Sequence, residues 1–321
     1  MGLLGYTLRR LLHAVPLLLA VAVLNFVLIA AAPGDPVTAL VGDFPAPPDY
    51  VAKVRLDYGL DQPMPVRLAR YLGHLARGDL GYSFANRAPV ASLVAERLGA
   101  TLKLTGTALG VASLLGVALG LAAARRAGGL LDRAVRLGAT AAYAMPEFWL
   151  GQLFILAFAV WLGWLPSQGD GPLRGAAPGW AGVIEGLRYL LLPATALALR
   201  YIALIARITR ARAVEVLRAE FVLAARARGA SEARILLDHV LRNAAPAVLT
   251  VIGYNAGFLL AGSALTETVF GWPGIGRLLF DSIAARDTPT MLAILLMVSA
   301  TVVLANLVTD VLHRLLDRRV A

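Results

Sequence analysis

Residues 98–124 read LGATLKLTGTALGVASLLGVALGLAAA, a run of apolar and small side chains with a single charged residue, Lys103. A helix needs about 20 apolar residues to cross the hydrocarbon core of a bilayer, and this run is long enough. Its many glycines and alanines allow a second helix to approach closely. The stretch therefore predicts a transmembrane helix that packs tightly against a neighbour.

Five more apolar segments lie on either side of this one. The chain has 321 residues, of which 59% are hydrophobic and 16% charged, and its mean hydropathy is +0.71. This composition excludes an ordinary soluble domain with a charged surface. The six predicted spans cover about 11–32, 98–124, part of 134–165, 187–206, 243–270 and 289–312. The sequence thus predicts an all-α polytopic membrane protein with six transmembrane helices, in which Pro146 either kinks the third span or marks where it enters the membrane.

Positive charge concentrates on one predicted side of the membrane. With six crossings, both termini share a side with the tail to Arg10, the segments 125–136 and 207–242, and the tail from His313. The opposite segments, 33–97, 165–186 and 271–288, carry nearly balanced charge, so the net charge of +10 lies on the first side. The positive-inside rule then predicts cytoplasmic termini. The basic composition needs no nucleic-acid partner, because no soluble basic module is present to bind one.

The long outer segment 33–97 is expected to contain two short helices, over 49–58 and 66–77. The second repeats apolar residues at Leu68, Leu72 and Leu75 and ends at Gly78, which suits a glycine C-cap. A loop of this size suits a docking surface or a lid, and a cap that only covers helix ends fits equally well.

Signatures of enzymes are scarce. The only lysines, Lys53 and Lys103, have no phosphate-binding glycine loop around them. No two of the four histidines have the spacing of a helical metal site, and cysteine is absent. We therefore expect a chain that is not an enzyme and binds neither cofactor nor metal.

An arginine-rich island, residues 207–242, interrupts the apolar pattern between the fourth and fifth spans. Residues 214–228 favour a helix, Gly229 can take the left-handed C-cap conformation, and Ser231 with Glu232 suits the start of a second helix. The second helix has an apolar and a polar face. The island therefore suits either insertion into a partner's groove or a hairpin held against anionic lipid headgroups.

Glu147, Arg200 and Glu267 are charged residues inside predicted spans. Charges there are costly in lipid, about 2.5 to 3.5 kcal/mol each on insertion scales, so these residues are expected to face protein or water. They either line a transport pathway or form a structural pair, such as Arg200 with a neighbouring carboxylate. Trp272 is expected to be an interfacial anchor.

The island resembles the Glu-Ala-Ala loop of permease subunits of bacterial ATP-binding-cassette importers in the oligopeptide, dipeptide and nickel group. Ala224, Ala225 and Gly229 have the spacing of that loop, while Leu223 replaces its generic Glu. His239 to Asn243 reads as in the peptide subgroup. Further matching motifs are Pro33-Gly-Asp-Pro36, Tyr58-Gly-Leu60, Arg77-Gly-Asp-Leu-Gly81, Pro146 before Phe148-Trp149, Leu192-Pro193-Ala194, Glu267-Thr-Val-Phe270 and Trp272-Pro-Gly-Ile-Gly276.

This resemblance implies the membrane domain of a type I importer in the bacterial plasma membrane. Its implied partners are a second permease, two cytoplasmic ATPase subunits that use the ATP, and an extracytoplasmic substrate-binding protein. Di- or oligopeptides are the implied substrates, with nickel chelates, glutathione and sugars left open. An ion-coupled secondary transporter, which works alone, is the alternative.

The resemblance also implies a role for the island in coupling to the ATPase. It assigns ATPase contacts to Ala224, Ala225, Gly229 and Ser231, flanked by Glu220, Arg226 and Arg228. The expected organisation is a first span with an outer loop (1–97), a five-helix core (98–312) that contains the island, and a cytoplasmic tail (313–321).

Overall fold

Helices make up most of the protein, and the computed structural model describes residues 3–32, 47–57, 59, 61–83, 85–172, 175 and 178–316. The N-terminal part begins with α1 (Leu3–Ala31), α2 (Pro48–Asp57) and α3 (Met64–Ala76). An antiparallel hairpin of β1 (Tyr82–Ser83) and β2 (Ala88–Pro89) then leads into α4 (Val90–Arg125). The motif at 33–36, residues Tyr58 and Leu60, and the tail beyond 316 lie outside the described residues.

The remaining helices form the larger part of the chain. They are α5 (Leu130–Ala144), α6 (Glu147–Phe154) with π-helical turns over Ile155–Trp161, α7 (Trp180–Leu217), α8 (Glu220–Ala227), α9 (Glu232–Arg234) with π-helical turns over Ile235–Leu241, α10 (Arg242–Gly262), α11 (Ala264–Val269), α12 (Ile275–Ala284) and α13 (Thr288–Leu316).

Five continuous helices in the described part of the chain are long and apolar enough to cross a membrane: α1, α4, α7, the helix from Glu232 through α10, and α13. Helices α5 and α6 supply a sixth crossing as one broken span, bent by 100°. The bend falls at Pro146, whose backbone is extended (φ −61°, ψ 132°). The predicted polytopic helical fold is confirmed, with Pro146 at the bend of the third span.

Two predicted helix boundaries are wrong. The span predicted over 243–270 ends at Gly262, and the short helix α11 follows a break at Ser263. The helix predicted over 214–228 is broken at Arg218 and Ala219, where Ala219 has an extended backbone (ψ 145°). Gly262 directly precedes the first break, and no proline or glycine marks the second. Glu267 after the first break and Val222 after the second have no exposed surface, so tertiary packing competes with local helix propensity at both places.

Close contact between α4 and α7 forms the centre of the core. Leu104, Ala108 and Ala112 of α4 are buried against Leu197 and Ile205 of α7. A Cβ atom added at Gly120 would lie 2.6 Å from Thr209 Cβ, and one at Gly116 would lie 2.8 Å from Ile205 Cβ. The predicted close approach at the 98–124 segment is therefore present, and it depends on these two glycines.

A second close contact joins α10 to α13, which also packs on α1. A Cβ at Gly257 would lie 3.2 Å from Val302 Cα, and one at Gly253 would overlap Thr309. Arg10 of α1 forms an ion pair with Asp310 of α13, at 2.8 Å. The first and last helices are thereby linked.

Hydrogen bonds to Asp287 join the hairpin to the start of α13. Ser83 donates a hydrogen bond to Asp287, which also accepts one from Thr290 Oγ1 at 2.7 Å. The helices predicted over 49–58 and 66–77 are confirmed as α2 and α3, and Gly78 follows α3 with a left-handed φ of +76°.

Candidate coupling loop and charged cavity

The island turns sharply at Gly229, between α8 and α9. Gly229 has a φ of +82°, its N–H donates to the Arg226 carbonyl at 2.9 Å, and the Ala230 N–H donates to the Ala225 carbonyl at 3.1 Å. These bonds satisfy the last carbonyls of α8. The Ser231 side chain accepts from the Arg234 N–H at 3.3 Å and caps α9. The sequence predicted this turn and cap correctly.

An ion pair closes the turn from outside. Arg226 Nε donates to Glu232 Oε1 at 2.9 Å, and a second bond joins the same side chains at 3.3 Å. The Glu232 carboxylate raises the pKa of the Arg226 guanidinium. Arg226, predicted as a flanking contact, thus forms an ion pair within the island, across the turn between α8 and α9.

The inner face of the island is apolar and buried. Val222 of α8 packs with Ile235 and Val240 in a group named the island cluster, which also contains Ala124 and Ala213 near the ends of α4 and α7. Ala225 is only 2% exposed. It therefore does not present an outer surface.

The outer face of the island exposes large apolar side chains. Leu223 is 68% exposed and Phe221 46%, and Ala224 beside them is exposed as well. Glu220, Arg228, Gly229 and Ser231 are also exposed. In the sequence, Leu223 was only a departure from the motif, and Phe221 had no predicted role. The exposure of both side chains could have been predicted from the spacing of Val222 and Ala225, which defines the buried face of α8.

The sequence did not predict an ion pair beside the island, between Arg210 and the buried Asp132. Arg210 of α7 makes two hydrogen bonds, of 2.5 and 2.8 Å, to Asp132 of α5, and the Gly128 N–H adds a third at 2.8 Å. Asp132 is 1% exposed. In the sequence, Asp132 is one acid in a basic turn, and nothing local identifies its partner 78 residues away. The pair joins the broken span to the helix that leads into the island.

Glu267 lies at a buried junction of α11, α12 and α4. Its carboxylate accepts hydrogen bonds from Thr101 Oγ1 at 2.8 Å, Ser263 Oγ at 2.9 Å and the Arg277 N–H at 3.0 Å. It has no exposed surface. Of the two roles considered for Glu267, the structure supports the structural one, with these partners in place of Arg200.

Trp272 beside this junction is also buried, and its Nε1 donates to the Ala100 carbonyl at 2.9 Å. The prediction of an interfacial anchor was wrong, because the ring fills the core next to α4.

A cavity of about 510 Å³, named the charged cavity, lies between the α5–α6 bend, α7 and α10. Glu147, the first residue of α6, and Arg200 of α7 both line it. Tyr143, Tyr201, Tyr254 and Asn255 are among its other lining residues. The cavity opens to the surface, since Tyr143 and Tyr254 are exposed.

Glu147 and Arg200 face the same space without pairing. No ion pair joins them, and Glu147 Oε2 is buried without any hydrogen-bond partner in the described structure. The Arg200 guanidinium lies over the Tyr143 ring, 5.2 Å from its centroid. Arg200 therefore forms no ion pair with a carboxylate in the described structure, and the charged cavity is lined by one carboxylate and one guanidinium that are not in direct contact.

Comparison with known proteins was decisive for the family. Residues 116–321 match the family described as binding-protein-dependent transport system inner membrane component, and residues 3–105 match its N-terminal family. The chain belongs to this family. It is accordingly a multi-pass permease subunit of a bacterial inner-membrane ATP-binding-cassette importer and is not itself an enzyme.

Similar proteins cover nearly the whole permease. A putative peptide transport system permease protein of Brucella abortus is 39% identical over 313 residues, 98% of each chain. The glutathione transport system permease protein of Salmonella paratyphi A is 41% identical over 311 residues, 97% of each chain. Among solved structures, the MetNI methionine transporter has a chain with a TM-score of 0.54 at 19% identity, covering 71% of this chain and 97% of that one. The last likeness concerns the fold alone.

Proposed function

We propose that this permease forms the pathway of an ATP-driven importer of di- or oligopeptides together with a second, similar permease. Two cytoplasmic ATPase subunits hydrolyse the ATP, and an extracytoplasmic binding protein delivers the substrate. The names of the relatives, which include peptide and glutathione transport, support this substrate class. Both termini and the island lie in the cytoplasm in this proposal, as the distribution of basic residues indicates.

The exposed face of the island is the proposed ATPase contact, and the observation that carries this proposal is its two-sided construction. Phe221, Leu223 and Ala224 are exposed, while Ala225 is buried and Val222 packs α8 against the ends of α4 and α7. An apolar ridge on a rigid base suits insertion into a groove of another protein. Gly229, Ser231, Glu220 and Arg228 remain proposed contacts at its edge, and Ala225 and Arg226 act from within the island.

Coupling would then pass from the island into the membrane through two routes. The island cluster connects it with the ends of α4 and α7. The Asp132–Arg210 pair connects α7 with α5, the first half of the broken span. A movement imposed on the island would reach the helices that surround the charged cavity.

The test is uptake by the purified transporter, with its partner subunits and binding protein, in sealed vesicles. We expect uptake of a labelled dipeptide that requires ATP and stops when the ATPase subunits are omitted. Uptake driven by a proton or sodium gradient without ATP would contradict the proposal and favour the ion-coupled alternative.

A further inference from the structure

The charged cavity contains the strongest unexplained feature of the molecule. A buried carboxylate oxygen without a hydrogen-bond partner is costly, and native proteins seldom keep one without a reason. Glu147 Oε2 is such an atom, and its residue lines a cavity. Arg200 contributes an opposite charge to the same cavity without forming a direct ion pair with Glu147.

We propose that the charged cavity is a substrate site of the permease that binds the free ammonium group of a peptide at Glu147 and its free carboxylate at Arg200. This inference rests on the proposed function as a peptide importer. A zwitterionic ligand supplies one group to each residue, so each charge gains a direct ion-pair partner when substrate binds. Arg200 is suited to a carboxylate because its guanidinium offers several donors in one plane.

The dimensions and the remaining walls of the cavity fit this ligand. Pockets for small molecules measure about 300 to 1,000 Å³, and the volume of about 510 Å³ falls within that range. The Tyr143 ring holds the Arg200 side chain in position from one side. Tyr201, Tyr254 and Asn255 also line the cavity and add polar groups that can contact the peptide bond of a bound dipeptide.

The site lies at a broken span, so a movement of the membrane helices can change its geometry. Glu147 begins α6 directly after the 100° bend, so a change of that bend alters the separation between Glu147 and Arg200. Binding by both residues therefore depends on the conformation of the membrane helices. A site of this kind can hold a peptide in one state and release it in another.

Direct binding tests the site without requiring transport. Saturation-transfer difference NMR would be recorded on the transporter with its partner subunits in nanodiscs, without the binding protein, using alanyl-alanine as the probe. We expect saturable binding to the wild type and at least tenfold weaker binding to Glu147→Gln and to Arg200→Gln. The exposed residues Glu96 and Arg133 provide matched controls, and Glu96→Gln and Arg133→Gln should bind as the wild type does.

Blocked peptides identify which end binds where. The wild type should bind N-acetyl-alanyl-alanine and alanyl-alanine amide at least tenfold more weakly than the free dipeptide. Glu147→Gln should no longer discriminate against the acetylated peptide, and Arg200→Gln should no longer discriminate against the amide. If Glu147→Gln or Arg200→Gln fails to assemble, Glu147→Asp or Arg200→Lys replaces it. These variants keep the charge but change the reach of the side chain, and their binding of free and blocked peptides is compared with that of the wild type.

Absent or unsaturable binding to the wild type, unchanged binding to both neutral variants, or equal binding of blocked and free peptides would each overturn the inference. These outcomes are separate from the vesicle experiment, because the NMR measurement uses no ATP. Uptake that is ATP-dependent with no effect of either substitution on binding would leave the proposed function standing and remove only this site.

Discussion

At the residue scale, Gly229 and Leu223 have different tasks within the island. Gly229 permits the turn, because a φ of +82° is costly for residues with a Cβ atom. Leu223 has no such structural task, since its side chain is 68% exposed and outside the island cluster. A large apolar side chain held in that position is better explained by a partner than by the fold of the chain.

Replacement of Gly229 by valine is expected to reduce ATP-dependent uptake at least tenfold while the protein stays in the membrane. A β-branched residue in the left-handed region costs about 1 to 3 kcal/mol of strain, which α8 and α9 can relieve only by changing the turn. Gly229→Asn is the matched control, because asparagine tolerates this conformation, and it should retain most uptake. Normal uptake by the valine variant would remove the turn from the coupling mechanism.

Glu267→Ala is expected to destabilise the permease by about 2 to 5 kcal/mol, since each buried donor left without its acceptor costs about 1 to 3 kcal/mol. The donors concerned are Thr101, Ser263 and the Arg277 N–H. Thermal unfolding in detergent measures the loss. The exposed Glu96 provides the control, and Glu96→Ala should stay within about 0.5 kcal/mol. Equal stability of the two variants would show that the Glu267 junction is dispensable.

At the element scale, the long helices are held by close backbone approach and by buried polar pairs. Gly116 and Gly120 allow α4 to lie against α7, and van der Waals packing at such contacts is a main force between helices in lipid. The Asp132–Arg210 pair adds a charged link between α5 and α7. Both features lie near the island and fix the base on which it rests.

The contribution of the α4–α7 contact can be measured with alanine in place of two glycines of the same helix. Gly120→Ala should destabilise the permease, because its Cβ would lie 2.6 Å from Thr209 Cβ. Gly110→Ala should be neutral or stabilising by about 0.5 to 1 kcal/mol, since its Cβ would meet no described atom within 4 Å. Thermal unfolding distinguishes the two, and the opposite order of stability would refute the packing described.

Arg210→Gln is expected to cost about 3 to 5 kcal/mol, because it leaves the buried carboxylate of Asp132 without its charge partner. Arg212 two positions later pairs with Glu215 at the surface. Arg212→Gln should therefore cost less than about 1 kcal/mol. Unfolding curves of the two variants, compared with the wild type, check the difference. Similar losses would mean that the Asp132–Arg210 pair contributes little to the fold.

Sequence patterns predicted the helices but did not predict the contacts between them. The spans follow from apolar length, and the turn at Gly229 follows from a glycine after a good helix. The break at Ser263 was not predicted, because a glycine such as Gly262 is also tolerated inside a transmembrane helix, and the contact of Glu267 with Thr101 of a distant helix is not visible in the sequence. The Asp132–Arg210 pair was missed for the same reason. The charges at Glu147 and Arg200 were noticed, but their common cavity is visible only once α6 and α7 are placed.

At the scale of the whole molecule, helix α7 joins the charged cavity to the island. Helix α7 carries Arg200 into the cavity, Arg210 to the pair with Asp132, and Ala213 into the cluster beneath the island. One element therefore takes part in the proposed substrate site, the link to the broken span and the base of the proposed ATPase contact. This continuity is the physical basis for coupling between the cavity and the island.

The most direct measurement is a cross-link from the proposed ATPase contact, because the chain contains no cysteine and an introduced one is unique within it. Leu223→Cys, labelled with a photoreactive maleimide in the purified transporter, should form an adduct with an ATPase subunit, identified by mass spectrometry. Leu114→Cys, at a 75% exposed position within α4, should form none. An ATPase adduct from Leu114 alone, or none from Leu223, would contradict the assignment of the island as the coupling surface.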